Sequence, residues 1–255
     1  MKEVHFVVQG KGGVGKSFIA ALLAQYLIHH YGDIATDDGN AYIQCFDTDP
    51  VNPTFSRMKE LEPTVVDILT QHHTIDTREF DELVEVLVEL DGMAVIDNGA
   101  ATFIPLMSYM NEGGIVDLLR DNGVRVIMHV PLNGGQALDD CIAGLVQTLA
   151  SSDAEVVVWL NDFKGEIQEG GKPFTSFKIY QSNKDRIIGV VHIPNRAPDT
   201  FGKDIAVMTE NNLTFNQAAQ RADLFKLAAR SRLNRVKNEI YAQLEQLSLG
   251  QTDAN

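Results

Sequence analysis

Apolar residues along the chain form short, nearly continuous runs, separated by longer stretches in which they recur every three to four positions. The runs Val4–Gln9, Tyr42–Phe46, Met93–Asp97, Val124–Val130, Glu155–Leu160 and Ile187–Ile193 are rich in β-branched residues. They predict strands covered on both faces. Helical periodicity predicts helices over Lys16–Tyr31, Thr77–Leu90, Phe103–Leu119, Gly135–Ala150 and Thr214–Leu247. Strands alternating with helices specify an α/β fold, a mostly parallel twisted sheet with right-handed crossovers and helices on both faces. No repeat, low-complexity tract or Pro/Gly/Ser-rich linker divides the chain. Residues 1–255 therefore read as a single domain, with 214–247 as a C-terminal helical extension packed on it. Ligands in such sheets gather at the carboxyl ends of the strands, so candidate chemistry is sought there.

Composition narrows the class. With 255 residues, 44% hydrophobic and 22% charged, the sequence has the balance of a soluble globular protein. No apolar stretch reaches the roughly 18 to 20 residues that a membrane span needs. The first strand begins at Val4, which leaves no room for a signal peptide. Cys45 and Cys141 fall at a buried strand position and a helix position, as expected of reduced thiols in the cytoplasm. A net charge of −14 argues against wholesale coating of nucleic acid or an anionic membrane. Between Arg221 and Lys237, however, six basic residues face one acid, so that segment is +5 and the remainder −19. An anionic partner such as DNA would meet the chain there.

Directly after the first strand stands Gly10-Lys11-Gly12-Gly13-Val14-Gly15-Lys16-Ser17, a complete GxxxxGK[ST] motif. Its glycines let the backbone wrap phosphate oxygens, and the following helix, opening through Phe18, points unpaired N–H groups at the same anion. Lys16 supplies a charge for the β- and γ-phosphates, and Ser17 a hydroxyl for Mg²⁺. The simpler reading is a glycine-rich turn joining strand to helix, but the strand before and the Ile19, Leu22, Leu23, Leu27 pattern after supply the context of a phosphate loop. The fold expected is thus a three-layer P-loop NTPase that binds and hydrolyses ATP. Asp47 and Asp49 close the second strand ahead of Pro50 and Pro53, and Asp97 closes the apolar run Met93–Ile96. A carboxylate at that last position holds Mg²⁺ directly or through water. Acidic turns also arise simply because Asp favours them.

Lys11 is not required by a plain phosphate loop. KGGVGKS resembles the deviant Walker A motif of the ParA/MinD superfamily, in which this extra lysine reaches the nucleotide of a partner subunit. The resemblance covers about residues 1–215. It implies that Asp49 orients the attacking water and that Asp47 helps arrange the site and its metal. It further implies that Asn161 reads adenine, with the Pro194 loop lining the other side of the base. Asn98-Gly99-Ala100 departs from the proline-containing turn usual in that superfamily. QGKGGVGKS, DTDPVNPTF, VIDNGAATFIPL, NGGQAL and VVWLN are similar, more narrowly, to the TraL-type proteins of plasmid conjugative-transfer regions. That resemblance implies an ATP-gated homodimer acting on a plasmid-encoded DNA-binding or conjugation protein. A biosynthetic or metal-delivery enzyme of the same fold would need a second substrate pocket or further ligands. No CxxC is present, and Lys164–Lys178 is the one candidate insert. A non-hydrolysing scaffold is opposed by the intact Lys16, Ser17, Asp49 and Asp97.

Leu233, Val236, Ile240, Leu244 and Leu247 make one apolar helix stripe whose start is crowded by Arg230, Arg232, Arg235 and Lys237. It reads as a helix packed on the sheet, as a DNA or protein surface, or as a membrane-surface helix. The last is disfavoured by the lack of Trp and Phe and by Glu239 and Glu245. His5, His29, His30, His72, His73, His129 and His192 show no ligand spacing, and His129 and His192 read as core or strand-end residues. No metal beyond Mg²⁺ is expected.

Overall fold

The computed structural model describes residues 2–32, 34, 41–69, 76 and 78–251. In chain order the strands are β1 (Lys2–Val7), β2 (Ile43–Asp47), β3 (Thr64–Val65), β4 (Met93–Asp97), β5 (Val124–Asn133), β6 (Glu155–Asn161), β7 (Gln168–Glu169), β8 (Lys172–Pro173) and β9 (Ile187–Ile193). The helices are α1 (Lys16–Tyr31), α2 (Glu79–Glu89), α3 (Phe103–Glu112), α4 (Ile115–Asp121), α5 (Leu138–Ser151), α6 (Lys178–Gln181), α7 (Lys203–Glu210), α8 (Phe215–Gln220) and α9 (Leu227–Leu244). Seven strands form one sheet in the order β3-β2-β4-β1-β5-β6-β9, and every neighbouring pair is parallel. β7 and β8 make a separate antiparallel hairpin.

Alternation along the strands divides the core in two. Val4, Phe6, Ala94, Ile96, Met128 and Val156 face a layer built by α2–α5. Val7, Cys45, Val95, Ile127, Val157 and Trp159 face α1 and the C-terminal helices. α1 is apolar around most of its circumference because it lies between the sheet and α8–α9. Of the C-terminal stripe, Leu233, Val236, Ile240 and Leu244 are buried against that layer.

Two expected helices are each divided. Phe103–Leu119 breaks at Gly113-Gly114, where Gly114 takes a left-handed φ of 57° and starts α4. Thr214–Leu247 becomes α8 and α9. A capping box between Thr214 and Gln217 opens α8, and the chain leaves helical geometry at Arg221 before α9 starts. β5 runs three residues beyond its expected end, through Pro131. The β1 register ends at Val7↔His129, so the ring of Pro131 removes no ladder bond on that side. β3, the β7–β8 hairpin, α6 and α7 are not anticipated by periodicity, being short. Thr77, His72 and His73 lie outside the described residues.

The outer edge of β9 is occupied by a side chain. Gln243 of α9 accepts from the His192 backbone N–H at 2.7 Å and donates to the His192 carbonyl at 3.1 Å.

Candidate nucleotide-binding site

The loop between β1 and α1 is anchored from beneath. Gln9 Nε2 donates to the carbonyls of Pro131 and Cys141, each at 3.1 Å. Its amide sits in a notch of α5: a methyl group on Gly144 would come within 1.8 Å of Gln9 Oε1. Gly13 and Gly15 adopt left-handed φ of 69° and 96°, which turn the loop back over the helix start. α1 has no side-chain cap and no acidic residue in its first turn. Its first intrahelical bond runs from the Ile19 N–H to the Gly15 carbonyl, leaving the preceding amides without helical partners. This is an anion nest with the positive end of a buried helix behind it. Lys16 is buried, and its ammonium reaches back to the Lys11 carbonyl at 3.4 Å. Burial pushes its pKa down, and the charges of Asp97 and Asp49 oppose that shift.

Strand pairing sets the acids beside this nest. Asp97 is in register with Val7 of β1 and with Asp47 of β2. The Ser17 hydroxyl donates to the Asp97 carboxylate, whose Oδ1 is buried without a hydrogen bond. Burial pushes the Asp97 pKa up to about 7. The Ser17 bond and Lys16 act against that rise, and Asp47 and Asp49 add to it. Asp47 is also raised by burial, but both its oxygens accept from backbone amides, Asp49 at 3.1 Å and Ser56 at 2.8 Å. Asp49 Oδ1 in turn accepts from Val51 and Asn52 at 3.0 Å. Asp47 and Asp49 thus hold the shape of the loop after β2, while Asp97 retains the free oxygen. Among the described residues no group of three or more His, Cys, Asp or Glu side chains could hold a metal unaided. Ser17 and the orphaned Asp97 oxygen fit Mg²⁺ bound with only one or two protein ligands beside phosphate and water.

A polar knot joins the two acidic loops. Asn98 Oδ1 accepts from the hydroxyls of Thr48 at 3.2 Å and Thr102 at 2.8 Å, and Asn98 Nδ2 donates to the Gly99 carbonyl. Gly99 lies so close to Asp49 that a methyl there would be 2.7 Å from the Asp49 carboxyl carbon. The Asn98-Gly99 turn therefore supplies a side-chain lock between the loops.

On the far side, Asn161 Nδ2 donates to the Val14 carbonyl at 3.1 Å, and its Oδ1 accepts from the Phe163 amide at 3.3 Å. One amide hydrogen and one lone pair are left over, enough to pair with a base edge. Pro194 follows β9, the strand next to β6, and is half-buried. Asn133, the register partner of Asn161, has a buried side-chain amide with neither atom hydrogen-bonded. Lys11 pairs with Asp140 of α5 at 2.7 Å on the open face, with side chains 40% and 60% exposed. Gln9, Asn98, Thr48, Thr102, Asn133 and Asp140 are positions that motif matching missed. Gln9, Thr48 and Asp140 act on residues distant in sequence, Asn133 lies at the sheet's carboxyl edge, and Asn98 and Thr102 bond to each other within one turn.

Three of the six bases in the basic segment form ion pairs, and the segment keeps a positive surplus. Arg221 pairs with Asp223, Arg232 with Asp204 and Arg235 with Glu239. Lys237 lies over the Tyr241 ring. The histidines build structure. Trp159 Nε1 donates to His129 Nδ1 at 3.0 Å, which fixes His129 Nε2 as the donor to His5 Nδ1 at 3.0 Å. His5 Nε2 meets Glu3 at 2.9 Å, and Arg125 closes the chain on Glu3. Burial holds the His129 pKa well below its ordinary value, with His5 adding to the shift. His192 is a strand-end residue paired with Asp162 at 2.6 Å. Cys45 and Cys141 are buried free thiols, and burial lifts the Cys45 pKa to about 12.

Three comparisons place this architecture. The sheet and its helices are similar to the MinD cell division protein of Aquifex aeolicus, with a TM-score of 0.51 at 14% identity over 98% of this chain and 99% of that one. The fold is that of the P-loop NTPases. Among the described residues no helix is long and apolar enough to cross a membrane. No family model matches the sequence. Two proteins of Escherichia coli, each named Protein TraL, are 40% and 39% identical to it over 247 residues, covering 96% of this chain and 98% of theirs. At that identity, over nearly the full length of both partners, the chain belongs to the TraL family.

Proposed function

We propose that this chain is a nucleotide-driven switch that binds Mg-ATP, hydrolyses it slowly and acts in plasmid transfer or maintenance as a reversible homodimer. The observation that carries the reading is the buried Asp97 carboxylate. It has one oxygen bonded to Ser17 and the other without a partner, at the foot of a helix whose first amides are free. Amides of Gly12 to Phe18 and the Lys16 ammonium would take the phosphates, with Gly10 and Val14 shaping the loop. Ser17 and Asp97 would hold Mg²⁺, whose charge neutralises the phosphate chain when bound. Asn161 and the Pro194 loop would receive the base.

In the chemical step, water attacks the γ-phosphorus and the bond to the β–γ bridging oxygen breaks, releasing ADP and phosphate. Asp49 orients that water and accepts its proton. Lys11 lies on the open face, held by a carboxylate that is itself more than half exposed. A second copy docked on this face would exchange Asp140 for a phosphate of the opposite site, and the added cation stabilises the charge of the transferring phosphoryl group. Arg221, Arg232 and Arg235 pair with acids of the same chain, while Lys226, Arg230 and Lys237 form no ion pair among the described residues and would be the bases to meet DNA directly. The protein partner would be a plasmid-encoded DNA-binding or conjugation protein. Cytoplasmic residence follows from the substrate.

The test is titration calorimetry of the folded protein with ATP, with Mg²⁺ and with EDTA, beside the Lys16→Ala variant. Saturable heat in the wild type that depends on Mg²⁺ and vanishes in the variant is expected. No heat from folded wild type overturns the reading. Lys11→Ala is expected to bind nucleotide yet fail to dimerise in sedimentation runs with Mg-ATP, and normal dimerisation would remove the trans role of this lysine.

A further inference from the structure

The segment after β6 is fixed unusually well for a loop. Residues Asp162–Lys164 form a 3₁₀ turn capped by the Asn161 side chain. Asp162 is tied to His192 of β9. The backbone from Lys164 to Glu166 lies directly on the turn after β5. A methyl on Gly134 would be 2.3 Å from the Gly165 carbonyl and 2.5 Å from that of Glu166, and one on Gly135 would be 3.0 Å from the Lys164 carbonyl. Close approach of this kind is open only to glycine. The side chain of Lys164 therefore leaves a closely packed stretch of backbone and is itself exposed.

Its ammonium lies beside the phosphate loop. A methyl on Gly13 would stand 3.6 Å from the Lys164 ammonium. Gly13 is one of the two loop residues with left-handed φ, at the bend where the anion nest turns into the helix. Of the three lysines gathered here, Lys11 is paired with Asp140, and Lys16 feels Asp97 and Asp49. Lys164 has no carboxylate in ion-pair reach among the described residues. In a chain of net charge −14, an ammonium without an ion-pair partner beside an anion nest is a cation available to an anion.

We infer that Lys164 is a further nucleotide-binding residue, its ammonium meeting the phosphate chain of the nucleotide held by the same subunit's Gly13 turn. The inference rests on the nucleotide reading above and adds to it a contact made within one subunit, unlike that assigned to Lys11. Because the contact is to the phosphates next to the Gly13 turn and involves no partner, ADP and ATP should feel it alike. A single partly screened charge contact of this kind corresponds to about a tenfold change in affinity at low salt.

The experiment is calorimetric titration of wild type, Lys164→Ala and Lys164→Arg with Mg-ATP and with Mg-ADP, at about 50 mM and about 300 mM salt. Lys164→Ala is expected to weaken both nucleotides about tenfold at low salt. The deficit should shrink at high salt, while Lys164→Arg stays near wild type and the melting temperatures of all three agree. Wild-type binding that Lys164→Ala matches at low salt overturns the role of Lys164 and leaves the nucleotide reading intact. A loss confined to ATP, with ADP unaffected, also overturns it, because the lysine would then serve the γ-phosphate or a second subunit. Wild type that binds neither nucleotide defeats the underlying reading, and the inference with it.

Discussion

Asp97 carries a measurable penalty in the protein without Mg²⁺, and Asp97→Asn reads it directly. The carboxyl is 1% exposed, and burial beside Asp47 and Asp49 raises its pKa from 3.8 to about 7. Below the unfolded value the group is protonated in both states and contributes nothing. As pH rises from about 4 to about 7 the unfolded chain loses the proton while the folded chain keeps it, so folding becomes progressively less favourable. Above about 7 the full penalty is present. About three pH units at about 1.4 kcal/mol each gives a ceiling of about 4 kcal/mol, which relaxation of the acidic loops would lower to about 2–4 kcal/mol. The amide that replaces the carboxyl carries no charge, so the variant should be more stable than wild type by that amount at pH 8, with the gap closing toward pH 5. The comparison cancels the carboxylates whose pKa values are lowered, such as Glu3 and Glu239, because both proteins share them. Urea unfolding in EDTA, followed by the fluorescence of the single Trp159, measures the difference across that range. A variant no more stable than wild type at pH 8, or a gap that does not shrink on acidification, refutes the argument.

Three further outcomes follow from other contacts. Gly144→Ala should expel the Gln9 amide from its notch, leave the Pro131 and Cys141 carbonyls without a donor and cost about 2–3 kcal/mol in denaturant titrations. A cost within a few tenths would show that Gln9 is no anchor. Trp159→Phe removes the donor to His129 Nδ1 in its buried chain and should cost about 1–3 kcal/mol by far-ultraviolet circular dichroism, whereas a neutral effect would mean the chain re-forms without it. Asp140→Asn releases Lys11 on the open face without touching the core, so Mg-ATP-dependent association should strengthen several-fold in sedimentation. Weaker association would show that Asp140 serves the dimer and does not restrain it.

What the sequence discloses is what lies close together along it. The phosphate loop, the limits of α1 and the acid at the end of β4 are readable because one strand, one turn and one helix carry the whole signal within a few residues. β3 and the β7–β8 hairpin escape because two residues give no period to detect. The division at Gly113-Gly114 had a signal, a pair of adjacent glycines inside a helical pattern, which marks a turn. The division after α8 had one too, since Thr214 and Gln217 are a capping pair. Gln9, Asn98 and Lys164 carry no local signature. Pro131 and Cys141, Thr48 and Gly13 reach them only through strand order, while Thr102 is a local partner of Asn98 four residues on. The pairing of Arg232 with Asp204 has no local signature either, because α7 and α9 meet only in the fold.

The amide of Gln243 imitates, for one residue, the strand that β9 lacks. A sheet flank with its peptide groups open is a template on which other chains can stack, and this flank is blunted at His192 by a clasp that both gives and takes a hydrogen bond. The opposite flank offers only the two residues of β3. Backbone pairing with another chain thus meets a clasped residue at one margin and a strand of only two residues at the other.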